Sequence, residues 1–302
     1  DVIVLDNVVM FPAIANAGCP WVRMVSCAET ELPDAAVPPY LSGCLASDTQ
    51  AREVFTEHYL QAVAPAHQRF SQFLANNATA PCPPGQFLVD SPWLNLLLSP
   101  TPVRYERQVP LDPQRYVYLD GCVRREAPYI VPDFPRHNDA PLIYISFGSL
   151  GAADTGMIKR LIGTIETLPY RFLINVGAYR DVYTTVPDNV YLDSWFAQPA
   201  VLKECQLFIH HGGNNSFCEA LYFGLPSVII PYCWDGHDNA ARAEEVGVGR
   251  YLPRFADPLG VLAEALEQLL GDQGMRQRLL GISQNMQVTR GTDIAARAIM
   301  DL

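Results

Sequence analysis

The chain has no uninterrupted apolar run of the roughly 18 residues that a membrane-spanning helix needs. No charged-then-apolar segment of the signal-peptide kind opens it. Positive charge is also scarce, since 21 lysine and arginine residues stand against 32 acidic ones, for a formal net charge of -11. Nucleic acids and anionic membranes attract clustered Lys and Arg, and the sequence contains no basic stripe. These absences predict no nucleic-acid partner and no transmembrane segment.

The eight cysteines include no C-x-x-C pair. They stand in apolar surroundings, where a reduced cysteine behaves as a small hydrophobic residue. The simplest interpretation is a reduced, cytoplasmic protein. The chain has 302 residues, of which 49% are hydrophobic and 18% charged, so it has the composition of an ordinary folded protein with room for two domains.

Residues 1–131 have an irregular texture. They contain two predicted strands, Val2–Leu5 and Trp21–Val25, and a long helical stretch from Asp48 to Leu74. The first strand is apolar enough to be buried in the centre of a sheet. Four prolines then fall within Pro128–Pro141 and disfavour regular structure, so we assign residues 132–141 to a linker.

Residues 142–302 follow a regular alternation of short apolar strands with helical stretches. Such strands are typical of a parallel sheet that is covered on both faces. The tail from Pro258 to Leu302 predicts two or three helices. The pattern indicates an open, doubly wound α/β domain. Its predicted strands are Leu142–Ser146, Arg171–Val176, Asn189–Leu192, Leu207–His210 and Ser227–Pro231.

The segment HHGGNNSFCEALYFGLP, His210–Pro226, places two glycines and three polar residues between a strand and an apolar helix. Gly212 and Gly213 would let the backbone approach an anion, and Asn215 and Ser216 could donate hydrogen bonds at the helix start. Helix capping explains the same residues equally well. A second strand end, ISFGSLG at Ile145–Gly151, has the same small-residue character, and the two together favour a site for two phosphates.

The segment Trp195–Gly249 resembles the donor-binding signature of the UDP-glycosyltransferases of family 1, which have the GT-B fold. The signature runs Trp-x-x-Gln, His-x-Gly-x-Asn-Ser-x-x-Glu, Gly-x-Pro and Pro-x-x-x-Asp-Gln-x-x-Asn. The resemblance implies two Rossmann-like domains, the amino-terminal one incomplete here: a partial acceptor-binding domain at 1–131 and a UDP-sugar donor-binding domain at 142–302. The matching residues are Trp195, Gln198, His211, Gly213, Asn215, Ser216, Glu219, Gly224, Pro226, Pro231, Asp235 and Asn239.

The resemblance also implies a role for each residue of the site. Trp195 would stack on the uracil ring, Gln198 would bond its polar edge and Glu219 would accept the ribose hydroxyls. Asp235 would contact the sugar. The donor would be a UDP-sugar and the acceptor a small lipophilic molecule, with no metal and no further cofactor, because helix N–H groups and a histidine would neutralise the leaving UDP. The residues implied around the diphosphate are Gly148, Ser149, His211, Gly213, Asn215 and Ser216.

Two departures from the signature stand out. Gly236 replaces the glutamine that usually follows the aspartate, so one sugar-binding amide is missing. Glucose is therefore not assigned as the donated sugar; His237 could substitute, or the pocket could accept a deoxy or N-acetyl sugar. Pro199 also falls one place after Gln198 rather than before it.

Inverting transfer needs a base that takes the proton of the acceptor hydroxyl. By resemblance, Asp6 matches the aspartate that orients a catalytic histidine, and that histidine has no match in this sequence. His58 and His67 fall in a predicted helix and His137 in the linker. Strand-helix units run to roughly 30 residues each, and we expect three or four such units, or about 100 residues, before Asp1. We also expect little sugar transfer by this chain alone. A non-catalytic nucleotide-sugar-binding subunit is the alternative; a UDP-sugar epimerase would lack the signature.

Overall fold

The computed structural model describes residues 1–254 and 260–302. They form two compact units, Asp1–Cys122 together with Arg290–Leu302, and Val123–Thr289. Within the described residues, no helix is both long and apolar enough to cross a membrane. Both units are α/β with parallel sheets, so the predicted fold class is confirmed.

The first unit contains a four-stranded parallel sheet with strands in sequence order. Its core includes the fully buried Leu96 of the third strand, packed against Val22 and Leu119. A long helix connects the second and third strands along the chain, and short 3-10 turns follow both of these strands. The elements are β1 (Ile3–Leu5), α1 (Pro12–Ala15), β2 (Trp21–Val25), α2 (Thr49–Asn76), β3 (Leu94–Leu97), β4 (Tyr116–Tyr118) and α10 (Gly291–Met300).

The first strand lies at the edge of this sheet and pairs only with β2 in the described part of the chain. Val4 at its centre is 51% exposed, whereas Leu5 is buried. The predicted strand at Val2–Leu5 is therefore present, and within the described residues one edge of it is uncovered. An apolar sequence identifies the strand, but only its neighbours decide how much of it is covered.

Helix α2 confirms the predicted helical stretch from Asp48 to Leu74 and extends it by two residues. It begins where the Asp48 carboxylate accepts the Ala51 backbone N–H at 2.9 Å, which is the expected bond of an aspartate N-cap. Leu74 is its one fully buried side chain. The helix therefore packs along a narrow stripe and leaves most of its surface to solvent.

The second unit contains a six-stranded parallel sheet. The strand order is β10-β9-β8-β5-β6-β7, so the chain starts in the middle, runs to one edge, returns to the middle and runs to the other. This is the order of a Rossmann-type doubly wound sheet, with its switch point between β5 and β8. The strands are β5 (Leu142–Ser146), β6 (Arg171–Asn175), β7 (Val190–Asp193), β8 (Leu207–His210), β9 (Ser227–Ile229) and β10 (Gly249–Tyr251).

The helices of the second unit follow these strands. All five predicted strands of the domain are present, with ends that differ by no more than two residues, and β5 and β8 are buried along their whole length. The predicted helical tail contains three helices, although Pro258 and Leu259 lie outside the described residues. The helices are α3 (Gly148–Gly151), α4 (Thr155–Ile165), α5 (Gln198–Leu202), α6 (Asn214–Phe223), α7 (Asp235–Glu245), α8 (Leu262–Gly271) and α9 (Gln273–Val288).

The compact units divide the chain differently from the expected boundaries at 131 and 142. The segment assigned to a linker has no regular structure, but its Phe134 is buried in the core of the second unit, where Tyr129 packs against Phe196. The final helix α10 belongs to the first unit, because Ile294 and Ile299 pack against the core around Leu96. Apolar side chains on both segments determine where they dock.

Candidate functional site

Most of the predicted site residues of the second unit follow the carboxyl ends of β5 and β8. The two strands are neighbours, and Ser146 pairs with His210 in the last register position of both. A doubly wound sheet opens a crevice at such a switch point, because the helices that follow the two strands go to opposite faces. The two small-residue segments predicted from the sequence therefore meet at one place.

The ring of His211 lies between these two segments. An ideal Cβ at Gly148, which follows β5, would lie 3.0 Å from the His211 Cε1 atom. An ideal Cβ at Gly213, before α6, would lie 2.5 Å from Nε2 of the same ring. A side chain at residue 213 would clash with the imidazole and one at residue 148 would crowd it, so the ring and the two glycines form one arrangement.

His211 is held by the protein on one side of its ring only. The ring hydrogen-bonds the Ser146 backbone, which favours its charged form, but burial lowers its pKa below the usual histidine value because it disfavours the charge more strongly. Its Nδ1 atom is buried and has no hydrogen-bond partner among the described residues. A ring that lies between two glycine segments and has one unpartnered nitrogen is suited to a ligand that brings its own polar atoms.

The preceding histidine has a different role. His210 is completely buried, and its Nδ1 accepts the Gly212 N–H at 3.1 Å, while Phe208 stacks on its ring at 4.6 Å. Desolvation lowers the pKa of His210 well below its ordinary value, so the ring is neutral. It holds the start of the glycine loop, as expected of a structural residue.

Three predicted residues form a hydrogen-bonded group on α5 and α6. Gln198 donates to Oε2 of Glu219 at 2.7 Å and to Oγ of Ser216 at 3.3 Å. Burial raises the pKa of Glu219; the Gln198 bond and the nearby Arg124 guanidinium, 3.9 Å from Oε1, oppose that rise. Pro199 lies in the first turn of α5, where proline is tolerated, so its shift from the signature does not disturb the helix.

The other predicted donor-binding residues present accessible side chains. Trp195 follows β7 and is 66% exposed, although a tryptophan of the core would be buried. Ser149 and Asn215 are exposed in the segments after β5 and β8. An open indole face and two open polar side chains are therefore available on this unit.

Asp235 contacts a helix other than its own. Its Oδ2 accepts the backbone N–H of Asn214, the first residue of α6, at 2.8 Å. Asn239 donates to the Gly212 carbonyl at 2.8 Å and approaches the same carboxylate at 3.4 Å. Burial raises the pKa of Asp235, while the bonds from backbone N–H groups oppose the rise. This bond joins the start of α7 to the start of α6.

Gly236 shows the physical reason for the missing glutamine. An ideal Cβ at Gly236 would lie 2.5 Å from the His211 carbonyl oxygen, and one at Gly212 would lie 2.5 Å from the Gly236 carbonyl oxygen. The two backbones therefore touch, and no side chain fits between them. Sequence reasoning identified only a lost amide here, because a contact between distant glycines leaves no local pattern.

Asp6 lies in the first unit at the end of β1. Its Oδ1 accepts a hydrogen bond from the Ser26 hydroxyl at 2.7 Å, and Ser26 directly follows β2. Among the described residues, no group of three or more His, Cys, Asp or Glu side chains has the arrangement of a metal site. The sequence analysis missed Ser26 and Arg124, which only spatial proximity brings to these carboxylates.

Comparison with known proteins finds that this chain is similar to enzymes that transfer sugars. Residues 162–298 match the family model described as "Erythromycin biosynthesis protein CIII-like, C-terminal domain". The chain is 30% identical over 164 residues to the NDP-glycosyltransferase YjiC of Bacillus subtilis (strain 168), covering 54% of this chain and 42% of that protein. It is 29% identical over 162 residues to the erythronolide mycarosyltransferase of Saccharopolyspora erythraea, covering 51% and 39%. The matched part is thus about two fifths of each relative's length.

Solved structures agree on the fold. The glycotransferase of kitacinnamycin superposes with a TM-score of 0.72 at 21% identity, covering 96% of this chain and 72% of that one. The calicheamicin glycosyltransferase CalG4 gives a TM-score of 0.69 at 18% identity, covering 96% and 69%. At such identities the likeness establishes the architecture.

Proposed function

We propose that the chain is a GT-B glycosyltransferase of family 1 and that it transfers a sugar from a nucleoside diphosphate donor to a hydroxyl group. The acceptor is a small, lipophilic molecule, and the transfer inverts the anomeric centre. The observation that carries the proposal is the His211 ring between Gly148 and Gly213, with a buried nitrogen that has no partner in the described chain. A diphosphate oxygen there would complete the hydrogen bonding of the ring.

The nucleotide binds beside the hydrogen-bonded group of Gln198, Ser216 and Glu219 on α5 and α6. The base stacks on the exposed indole of Trp195, and the ribose hydroxyls donate to Glu219. Gln198 already fixes one oxygen of that carboxylate, so its orientation is set before the ligand arrives. The Arg124 guanidinium, 3.9 Å from Oε1, offsets part of the negative charge of the buried Glu219. The ribose therefore meets an acceptor that is already oriented.

The diphosphate is held by neutral donors. His211 offers its ring, Ser149 and Ser216 offer hydroxyls, and Asn215 offers an amide at the positive end of the ten-residue helix α6. These groups stabilise the charge that develops on the leaving nucleotide, so the reaction proceeds without a metal. A site without a metal should still bind the donor in buffer with EDTA, and loss of donor binding in EDTA would contradict the proposal.

We propose uridine as the base of the donor. Glu219 presents two carboxylate oxygens, and a ribose supplies two hydroxyls to them, whereas a 2′-deoxyribose supplies one. The relatives' names point both ways, since they include a UDP-glucuronosyltransferase and a TDP-daunosamine transferase. Calorimetric titration with UDP and TDP in parallel decides between them, and tighter binding of TDP would replace uridine by thymidine.

The decisive experiment is calorimetric titration of the chain with UDP in buffer with EDTA. Wild type should bind in the micromolar range, and Glu219→Gln should weaken binding by about tenfold, because a charged acceptor of two hydroxyls becomes a neutral amide. Glu245→Gln is the matched control, because it removes the charge of another arginine-paired carboxylate, at the C-terminal end of α7. Equal affinity of the two variants would refute the assignment of Glu219.

Catalysis requires a base beside the acceptor hydroxyl, and we propose that Asp6 orients it. In the described chain the recorded partner of this carboxylate is the Ser26 hydroxyl rather than a histidine. We therefore expect the 302-residue chain to bind donor and transfer little sugar. Robust turnover by the purified chain would show this expectation to be wrong. A non-catalytic nucleotide-sugar-binding subunit is the competing function, and it predicts no turnover in any longer form of the protein.

We also propose the cytoplasm as the compartment. All eight cysteines lie within the described residues and are free thiols. Cys82 and Cys205 are buried, and burial raises the pKa of both, which keeps them as unreactive thiols. A thiol titration of the denatured protein isolated without reductant should find all eight free, and fewer would indicate an oxidising compartment.

A further inference from the structure

The connection between β9 and α7 contains a strained residue. Trp234 has φ 52° and ψ −136°, and the Gly236 N–H donates to the Cys233 carbonyl at 3.2 Å. These values are close to those of the second residue of a type II′ turn, where glycine predominates because φ is positive. A bulky residue in this conformation is a true outlier, and such outliers concentrate at ligand clamps and active sites.

The turn is fixed at both of its ends. Before it, the Tyr232 ring packs against Phe147 at 5.7 Å, and the Arg254 guanidinium lies 4.1 Å from the centre of the Tyr232 ring. Asp154 accepts hydrogen bonds from both Arg254 and Tyr232. After it, Gly236 abuts the His211 carbonyl. A strained conformation persists only when its surroundings determine it in this way.

The strain does not serve to bury the indole. The Trp234 side chain is 61% exposed, so the fold gains little apolar contact from it. A glycine would form the same turn without strain, and a buried tryptophan would offset the strain by removing apolar area from water. What the conformation does achieve is to present a large aromatic surface one residue before Asp235, whose carboxylate bonds the first N–H of α6.

We propose that Trp234 is the surface on which the hexose ring of the donor packs. This rests on the proposed function, which places the diphosphate at the start of α6. A hexose has a face of C–H groups that packs against an aromatic ring, and covering that ring removes apolar area from water. Because Gly236 has no side chain, the turn offers the sugar an aromatic contact and no hydrogen-bonding amide. It therefore suits a hexose with few hydroxyls on the packed face.

The test compares nucleotide with nucleotide sugar, since an aromatic surface for the sugar affects only the second. Calorimetry of the chain with UDP, UDP-glucose, TDP and TDP-rhamnose is repeated for Trp234→Gly and Trp234→Phe. In Trp234→Gly, the affinity for UDP and TDP should stay within about twofold, while that for the better nucleotide sugar should fall about tenfold. Trp234→Phe should keep most of the sugar affinity. Trp93→Gly, which removes another exposed tryptophan, should leave all four affinities unchanged.

Thermal unfolding gives a second, independent result. Glycine relieves the strain, so the unfolding temperature of Trp234→Gly should equal or exceed that of wild type. A lower temperature would show that the indole supports the fold, and would overturn the proposal. Unchanged nucleotide-sugar affinity in Trp234→Gly, with normal UDP or TDP binding, would overturn it as well and leave the proposed function intact. If wild type bound none of the four probes, both proposals would fall together.

Discussion

The His211 ring occupies the space that a side chain at residue 213 would need. An ideal Cβ at Gly213 would lie only 2.5 Å from Nε2 of the ring, closer than real Cβ contacts come. The imidazole and the glycine loop are therefore a single unit of structure. The position of the ring, and with it any ligand bound to Nδ1, depends on the absence of a side chain at the start of α6.

The first prediction follows from this contact. Gly213→Ala should displace the His211 ring and weaken UDP binding by tenfold or more, which corresponds to at least about 1.4 kcal/mol. Gly163→Ala is the control, because Gly163 lies inside α4 with nothing within 4 Å of an added Cβ. It should instead raise the unfolding free energy by about 0.5–1 kcal/mol. Calorimetry and urea unfolding measure the two effects, and equal UDP affinity in both variants would contradict the prediction.

The second prediction concerns Gly236→Gln, which restores the residue usual in the family signature. The new Cβ would meet the His211 carbonyl at 2.5 Å, and a backbone atom cannot rotate away as a side chain can. We expect a loss of about 1–3 kcal/mol in unfolding free energy from overpacking, and weaker UDP binding. Titration with UDP-glucose is the critical measurement. A variant that bound UDP-glucose more tightly than wild type would show that the two backbones can separate.

The third prediction is a dependence of stability on pH. An unfolded histidine titrates near pH 6.5, and the pKa of His210 in the folded chain lies well below its ordinary value because the ring is buried. Below about pH 6.5 the unfolded chain therefore binds a proton that the folded chain does not, so stability is full above this pH and falls with decreasing pH. His210 accounts for up to about 1.4 kcal/mol per pH unit of that fall.

The variant His210→Asn isolates this contribution, because an amide oxygen can still accept the Gly212 N–H and cannot titrate. Urea unfolding from about pH 7.5 to about pH 5 should give a shallower pH dependence for the variant than for wild type. His211 and His237 also have lowered pKa values from burial and stay in both proteins, so the difference of slopes belongs to His210. Parallel curves would contradict the prediction.

The fourth prediction tests the charged network of the first unit. Arg23 is buried and pairs with Glu31 at 2.8 Å and with Asp90 at 2.6 Å. Burial raises the pKa of Glu31, and Arg23 is the strongest influence that lowers it. Arg23→Met would leave the Glu31 carboxylate buried without its cation, which should cost about 3–5 kcal/mol of unfolding free energy.

Two further variants make that result specific. Arg290→Met breaks an exposed pair with Asp293 and should change the unfolding free energy by no more than about 1 kcal/mol. The double variant Arg23→Met/Glu31→Gln should recover part of the loss, because it removes the stranded charge. Equal effects of Arg23→Met and Arg290→Met in urea unfolding would show that the buried pair contributes no more than the exposed one.

The amino-acid sequence by itself determined five of the six strands of the second unit and the order of its site residues. Strand periodicity and the glycines at strand ends are local features, and so Leu142–Ser146 and Leu207–His210 were predicted with their observed bounds. The resemblance of the segment from Trp195 to Asn239 to the family signature likewise depends only on residue types and spacing. Local patterns survive because each short segment carries its own preference for helix or strand.

Tertiary structure alone decided the remaining features. The contact between Gly212 and Gly236, the bond from Asn214 to Asp235 and the docking of α10 on the first unit all join residues that are distant in the chain. The strain at Trp234 depends on contacts at both ends of its turn. A side chain's own sequence neighbours cannot specify such relationships, because they arise only when packing brings separate segments within a few ångströms of each other.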